Sequence, residues 1–199
     1  MVINMKKIIA ALFMAAVLAI TATGCMGASN TANDKATGDE AKSHRAEDYT
    51  NDLEGLCNYF ASFGYINPQA PSTIMSMDAA LIGAVEGNRY VGYKNEQSDY
   101  TYLTIELYQY DTSKENATAD EIVKFVNNDG TFSILGLDPV KNVFISNKGT
   151  FLMIYKDSKL DENKKDDEHY KLRETIVKQF KEFDTKAKAP KPKATSDSK

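Results

Sequence analysis

The sequence predicts an α+β fold in which helices pack on one face of an antiparallel sheet of about five strands, in the order ααββαβββα. Two of the observations behind this prediction concern the strands. Helical spacing of apolar residues gives way to strict alternation near residue 89, and short turn sequences typical of hairpins separate the strand segments. The third observation is that no regular alternation of strands and helices is sustained, which argues against a parallel sheet.

Four segments have helical character. Apolar residues recur at helical spacing over 49–63 and again, more briefly, over 78–84. The third helix is predicted to begin at Thr118, because Thr118 and Glu121 have the spacing of a capping box, and to end near Gly130. The last helix is predicted over 165–183, with acidic residues at its start and lysines toward its end, as the helix dipole favours.

Five segments are predicted as strands. Residues 89–94 and 101–110 are predicted to form a hairpin through 95–99, and 131–135 is predicted to follow the third helix. Residues 142–146 and 150–155 form a second predicted hairpin, whose turn contains Gly149, a residue able to take positive φ.

Tyrosines on the strand 101–110 give the candidate binding face. Apolar residues alternate onto one side of this strand, and tyrosines with one glutamate occupy the other side. Tyrosine offers a rigid amphipathic surface suited to proteins or glycans. The candidate residues are Tyr102, Glu106, Tyr108 and Tyr110 on this strand, with Tyr90 on the neighbouring predicted strand. Ordinary cross-strand packing is the alternative role for the same residues.

The N-terminus has the features of an export signal. Lys6 and Lys7 precede an apolar run over 8–20, which is shorter than the roughly 20 residues that a membrane-spanning helix needs. A basic start, a short apolar segment and small residues at the exit are typical of a secretory signal.

The end of this signal indicates a lipid anchor. The residues Ala22-Thr23-Gly24-Cys25 resemble the lipobox of bacterial lipoproteins, although Ala22 stands where Leu is usual. The resemblance implies that Cys25 receives a diacylglyceryl group and becomes the N-terminus after cleavage. The protein would then be exported and anchored to the outer face of the bacterial cell membrane. An ordinary secretory signal cleaved near Ala22 is the alternative.

The chain therefore divides into four regions: a signal peptide over 1–24, a lipidated Cys25 with a disordered tether to residue 47, a single domain over 48–184 and a basic disordered tail over 185–199. The domain carries 23 acidic and 14 basic residues, for a net charge of −9. This charge argues against a nucleic acid partner.

The sequence contains no recognisable catalytic or metal-binding motif. His44 and His169 are the two histidines, the acidic residues over 157–168 lack the calcium-loop pattern, and Cys57 is expected to be a small buried hydrophobe. These observations predict a non-catalytic binding or interaction domain with no cofactor and no metal, whose partner is an envelope protein or glycan. The alternative is a cell-envelope hydrolase whose carboxylates have no sequence signature.

Overall fold

The computed structural model describes residues 44–75 and 77–190. The predicted signal peptide, the lipid attachment site Cys25 and the tether up to residue 43 lie outside the described residues. Tail residues 191–199 lie outside them as well.

The described part is an α+β domain with three α-helices and a four-stranded antiparallel sheet, as the sequence predicts at the level of fold class. The strands lie in the order β1-β2-β4-β3, so β1–β2 and β3–β4 are hairpins and β2 pairs with β4. The elements are α1 (Leu53–Ser62), β1 (Glu86–Lys94), β2 (Asp99–Gln109), α2 (Ala117–Asp129), β3 (Val143–Ile145), β4 (Phe151–Asp157) and α3 (Glu168–Lys186).

Two predicted elements differ in the structure. The segment 131–135 is not a strand: Phe132 forms a single bridge with Val140, and Leu135 (φ 54°) followed by Gly136 (φ 74°) turns the chain away. The predicted helix over 78–84 is a 3-10 helix of four residues, Ala79–Ile82. It is ended by Gly83 in the left-handed conformation.

Both faces of the sheet are covered, whereas the sequence predicts helices on one face. Helices α1 and α3 pack on the face that contains Leu103, Ile105 and Leu107. Helix α2 packs on the opposite face against Leu152 and Ile154. The reason lies in the sequence of β4, which begins with five consecutive large apolar residues over 151–155. All five are buried, so both faces of this strand pack in a core.

The start of α2 also differs from the predicted capping box. The N-cap is Asn116, whose Oδ1 accepts a hydrogen bond from the Ala119 backbone N–H at 3.1 Å. The Asn116 Nδ2 donates to the carbonyl of Gly83 at 3.1 Å, which fixes the helix start against the 3-10 helix. Asn116 therefore caps the helix in place of Thr118, and the predicted stop at Gly130 is confirmed by its φ of 65°.

The folded region extends past both predicted domain limits. Ala46 is buried before residue 48, and α3 continues to Lys186. Beyond the helix, the Lys188 backbone N–H donates to Tyr49 O at 2.9 Å and the Asn51 N–H donates to Lys188 O at 2.7 Å. The two ends of the domain are thus hydrogen-bonded to each other.

Candidate functional site

The tyrosines predicted as a binding face do not form a surface. Tyr90, Glu106, Tyr108 and Tyr110 are each at most 5% exposed, and Tyr102 is half-buried. They are also divided, because Tyr90 packs in the α1/α3 core while Tyr108 and Tyr110 pack in the core beneath α2. The physical reason is that helices cover both faces of the sheet. These side chains therefore pack in the cores and against neighbouring strands.

Glu106 is a buried carboxylate with partners inside the fold. The Tyr108 hydroxyl donates to Glu106 Oε2 at 2.7 Å, and Arg89 Nε and Lys156 Nζ lie 3.7 Å and 4.0 Å from Oε1. Burial, reinforced by the Glu106 carboxylate, raises the pKa of Tyr108. This arrangement joins three strands on the α2 side of the sheet.

Two further buried carboxylates are also used within the fold. Asp184 Oδ2 accepts from the Ser146 hydroxyl at 2.5 Å and from the Lys148 backbone N–H at 2.9 Å, which ties the β3–β4 turn to α3. Asp157 Oδ2 lies 2.9 Å from His169 Nδ1 and joins the end of β4 to the start of α3. Each carboxylate therefore has its own hydrogen-bond network.

The candidate site that the structure reveals is a groove of about 1010 Å³. One wall is the C-terminal end of α1 together with the loop 63–69, and the other wall is the tip of the β1–β2 hairpin. None of the candidate residues of the tyrosine face lines this groove.

Local turn chemistry fixes both walls of the groove. Gly64, with φ 76°, reverses the chain directly after α1, and its carbonyl accepts from the Ser98 hydroxyl at 3.4 Å. At the hairpin tip, Asn95 Oδ1 accepts from the backbone N–H groups of Gln97 and Ser98 at 2.8 Å and 2.7 Å. This Asx-type turn fixes the shape of the tip, and the Ser98–Gly64 hydrogen bond connects the tip to the end of α1.

Aromatic rings form the floor of the groove. Phe63 and Tyr65 are stacked with their centroids 5.4 Å apart and an interplanar angle of 13°. Tyr100 meets Tyr65 edge-on at 5.5 Å. Burial raises the pKa of Tyr65 to about 12, so its phenol is uncharged at physiological pH.

A β-bulge brings one more tyrosine to the groove. The register of β1 shifts between Val91 and Tyr93, and Gly92 between them has φ 55°. In a regular strand Tyr90 and Tyr93 would point to opposite faces, yet both line an adjoining cavity of about 150 Å³ with Tyr65. Tyr93 therefore faces the groove because of the bulge.

The groove lining is mostly uncharged and includes one histidine, His44. None of its sixteen residues is Asp, Glu, Lys or Arg, although 26% of the chain is charged. Its carboxamide side chains are Asn58, Asn67, Gln69, Asn95 and Gln97. The sequence does carry a signal for this site: the 23 residues over 55–77 contain no charged residue and no histidine, even though much of 67–75 is solvent-accessible.

A second cleft, of about 490 Å³, lies where β2 begins and α3 starts. It is lined by Tyr102, Lys159, Glu168 and His169, among others, so it mixes charges of both signs. Lys159 Nζ lies 4.5 Å from the centroid of the Tyr102 ring. Tyr102 is the one residue of the predicted tyrosine face that lines either of these two openings.

Neither a protein-family model nor a curated protein nor a solved structure matches this chain. Over residues 44–75 and 77–190, no helix has the length and apolar character needed to cross a membrane. Within the same residues, no group of three His, Cys, Asp or Glu side chains is placed to hold a metal ion.

Proposed function

We propose that the protein is a membrane-anchored extracytoplasmic lipoprotein whose folded domain is a non-catalytic binding module, with the groove beside α1 as its binding site. The anchoring half of the proposal rests on the likeness of residues 22–25 to a lipobox. Two acyl chains on Cys25 would give stable anchoring, because each buried CH₂ contributes about 0.8 kcal/mol. The membrane is then one partner and an envelope component is the other.

The observation that supports the binding half is the groove itself. Its volume of about 1010 Å³ is at the upper end of the range typical of ligand sites, and such sites are mostly apolar and aromatic with a few polar groups. Turn hydrogen bonds and ring stacking already hold its walls in place. A preformed site loses less conformational entropy on binding.

The alternative function, a cell-envelope hydrolase, is favoured by one observation at the second cleft. His169 is held by Asp157 at 2.9 Å, an arrangement that can orient an imidazole as a general base. If the protein is a hydrolase of this kind, the substitution His169→Gln should abolish its activity on envelope polymers. The binding proposal expects no hydrolysis by either the unaltered protein or this variant.

Retention by envelope material tests the binding proposal. We would compare the full chain carrying Cys25→Ser, which cannot be lipidated, with the same chain also carrying Tyr100→Ala. Phe125→Ala is the matched control, since Phe125 is an exposed aromatic residue on α2. We expect isolated, lipid-free envelope to retain the parent chain and Phe125→Ala but to lose Tyr100→Ala. Equal retention of all three chains would contradict the proposal.

A further inference from the structure

We infer that the groove beside α1 binds an uncharged glycan. This inference rests on the proposed binding function and names its ligand class. The occupant is an oligosaccharide without carboxylate, phosphate or sulfate groups, because the groove offers aromatic rings and carboxamides with no Asp, Glu, Lys or Arg side chain.

The charge of the lining favours a neutral ligand. Sites for anionic or cationic ligands place opposite charges at the contact, where charge-assisted hydrogen bonds supply both strength and selectivity. None of the sixteen lining residues is Asp, Glu, Lys or Arg, and the one imidazole is that of His44, while the domain over 48–184 carries a net charge of −9. Anionic polymers would therefore be repelled by the domain and would find no lysine or arginine in the groove to compensate.

The aromatic and polar groups of the groove match a sugar better than a peptide. A pyranose ring has an apolar C–H face that packs on an aromatic ring, and its rim hydroxyls both donate and accept hydrogen bonds. A carboxamide can donate a hydrogen bond to such a hydroxyl through its NH₂ group or accept one through its carbonyl oxygen. An amphipathic helical peptide lays its apolar face into a hydrophobic groove, but seven of the sixteen lining residues are Asn, Gln or Ser, and the largest aliphatic one, Ile66, is only 2% exposed.

The size of the groove favours several sugar units over one. A volume of about 1010 Å³ matches the upper end of sites that enclose drug-sized molecules. Half-buried Tyr93 and Tyr100, which face each other across the β1–β2 ladder, offer ring surface on the hairpin wall. Exposed Gln69 and Gln97 stand at the rim.

Calorimetric titration with defined oligosaccharides tests the inference. The neutral probes are chitopentaose, cellopentaose and mannopentaose, and a hyaluronan hexasaccharide is the anionic comparison. The protein is the full chain carrying Cys25→Ser, in a detergent without a sugar headgroup. We expect saturable binding of at least one neutral probe, with a Kd that changes less than twofold between 50 and 500 mM NaCl.

Variants of the groove make this test specific. We expect Tyr100→Ala to weaken binding at least tenfold and Phe125→Ala to change it less than twofold. At the exposed rim, where folding is not at risk, Gln97→Glu and Gln97→Lys should each weaken binding of a neutral glycan, because both remove a carboxamide. For a charged ligand these two variants would change the affinity in opposite directions.

The outcomes separate the inference from the proposed function. If no neutral pentasaccharide binds while Tyr100→Ala still loses envelope retention, the glycan assignment is wrong and the binding function stands. Preference for the hyaluronan probe, or opposite effects of the two Gln97 variants, would also overturn it. If Tyr100→Ala is retained on the envelope like the parent chain, the proposed function itself fails.

Discussion

At the scale of single residues, burial decides what the polar side chains of this domain can do. Cys57 is buried and is the one free cysteine in the part of the chain that the structure describes. The Tyr90 hydroxyl lies 3.1 Å from its Sγ. Burial raises the pKa of the Cys57 thiol from 9.0 to about 11. The thiol is therefore expected to be a packing group, as the sequence predicts, and not a nucleophile.

Alkylation of Cys57 by iodoacetamide tests this role. A thiol with a pKa near 11 has about a hundredfold less thiolate at pH 8 than one with a pKa of 9. In the Cys25→Ser chain we expect alkylation in native buffer at pH 8 to be at least about a hundredfold slower than in denaturing urea. Mass spectrometry gives both rates. Equal rates would show that Cys57 is accessible in the folded protein.

Asp184 is expected to be a structural residue. Removing its carboxylate in Asp184→Ala leaves the Ser146 hydroxyl and the Lys148 N–H without their acceptor, and we expect a loss of about 1–3 kcal/mol in the free energy of unfolding. Urea denaturation gives the value. Glu182→Ala is the control: Glu182 lies on the same helix, but its ion pair with Lys186 is solvent-exposed and should contribute little. Equal losses would contradict the account.

At the scale of elements, the N-cap of α2 can be tested by mutation. Asn116 and Thr118 as the cap predict opposite orders of stability loss on substitution by alanine. Asn116 hydrogen-bonds both the helix N-terminus and the 3-10 helix, so Asn116→Ala should lower the free energy of unfolding by about 1 kcal/mol or more. Thr118→Ala should cost clearly less, because Thr118 lies inside the helix. Thermal or urea denaturation of both variants checks this. A larger loss for Thr118→Ala would favour the capping box predicted from the sequence.

The elements also show what the sequence could and could not predict. Hydrophobic alternation and turn residues located both hairpins, and Gly130 marked the end of α2 correctly. The predicted cap is wrong because Asn116 and Thr118 are both good capping residues in sequence, whereas in the structure Asn116 bonds both the Ala119 N–H and the Gly83 carbonyl. The strand over 131–135 was wrong because a local β pattern does not show whether a neighbouring strand is present to pair with it.

The candidate site was harder to predict than the fold. The tyrosine face was inferred from alternation along one strand, which assumes that one face of the sheet is open to solvent; the five consecutive buried residues at the start of β4 show that it is not. The groove forms from a loop and a hairpin tip that are distant in the sequence, and the Gly92 bulge turns Tyr93 toward it. Its sequence signal was the absence of charge over 55–77, not a motif.

At the scale of the whole molecule, the proposed lipid anchor precedes an acidic domain whose groove is lined without Asp, Glu, Lys or Arg. Residue 44, the first that the structure describes, already contacts the groove: the His44 ring stacks on Phe63 at 4.5 Å and its Nε2 lies 2.9 Å from Ser62 O. His44 thus lies beside the proposed binding site at the start of the described residues.

The anchoring proposal is tested by the intact mass of the protein recovered from the membrane fraction of the organism that makes it. We expect a chain that begins at Cys25 and carries the mass of a diacylglyceryl group, and we expect Cys25→Ser to abolish both the cleavage before residue 25 and the added mass. A chain released without lipid, or one cleaved near Ala22 with an unmodified Cys25, would contradict membrane anchoring.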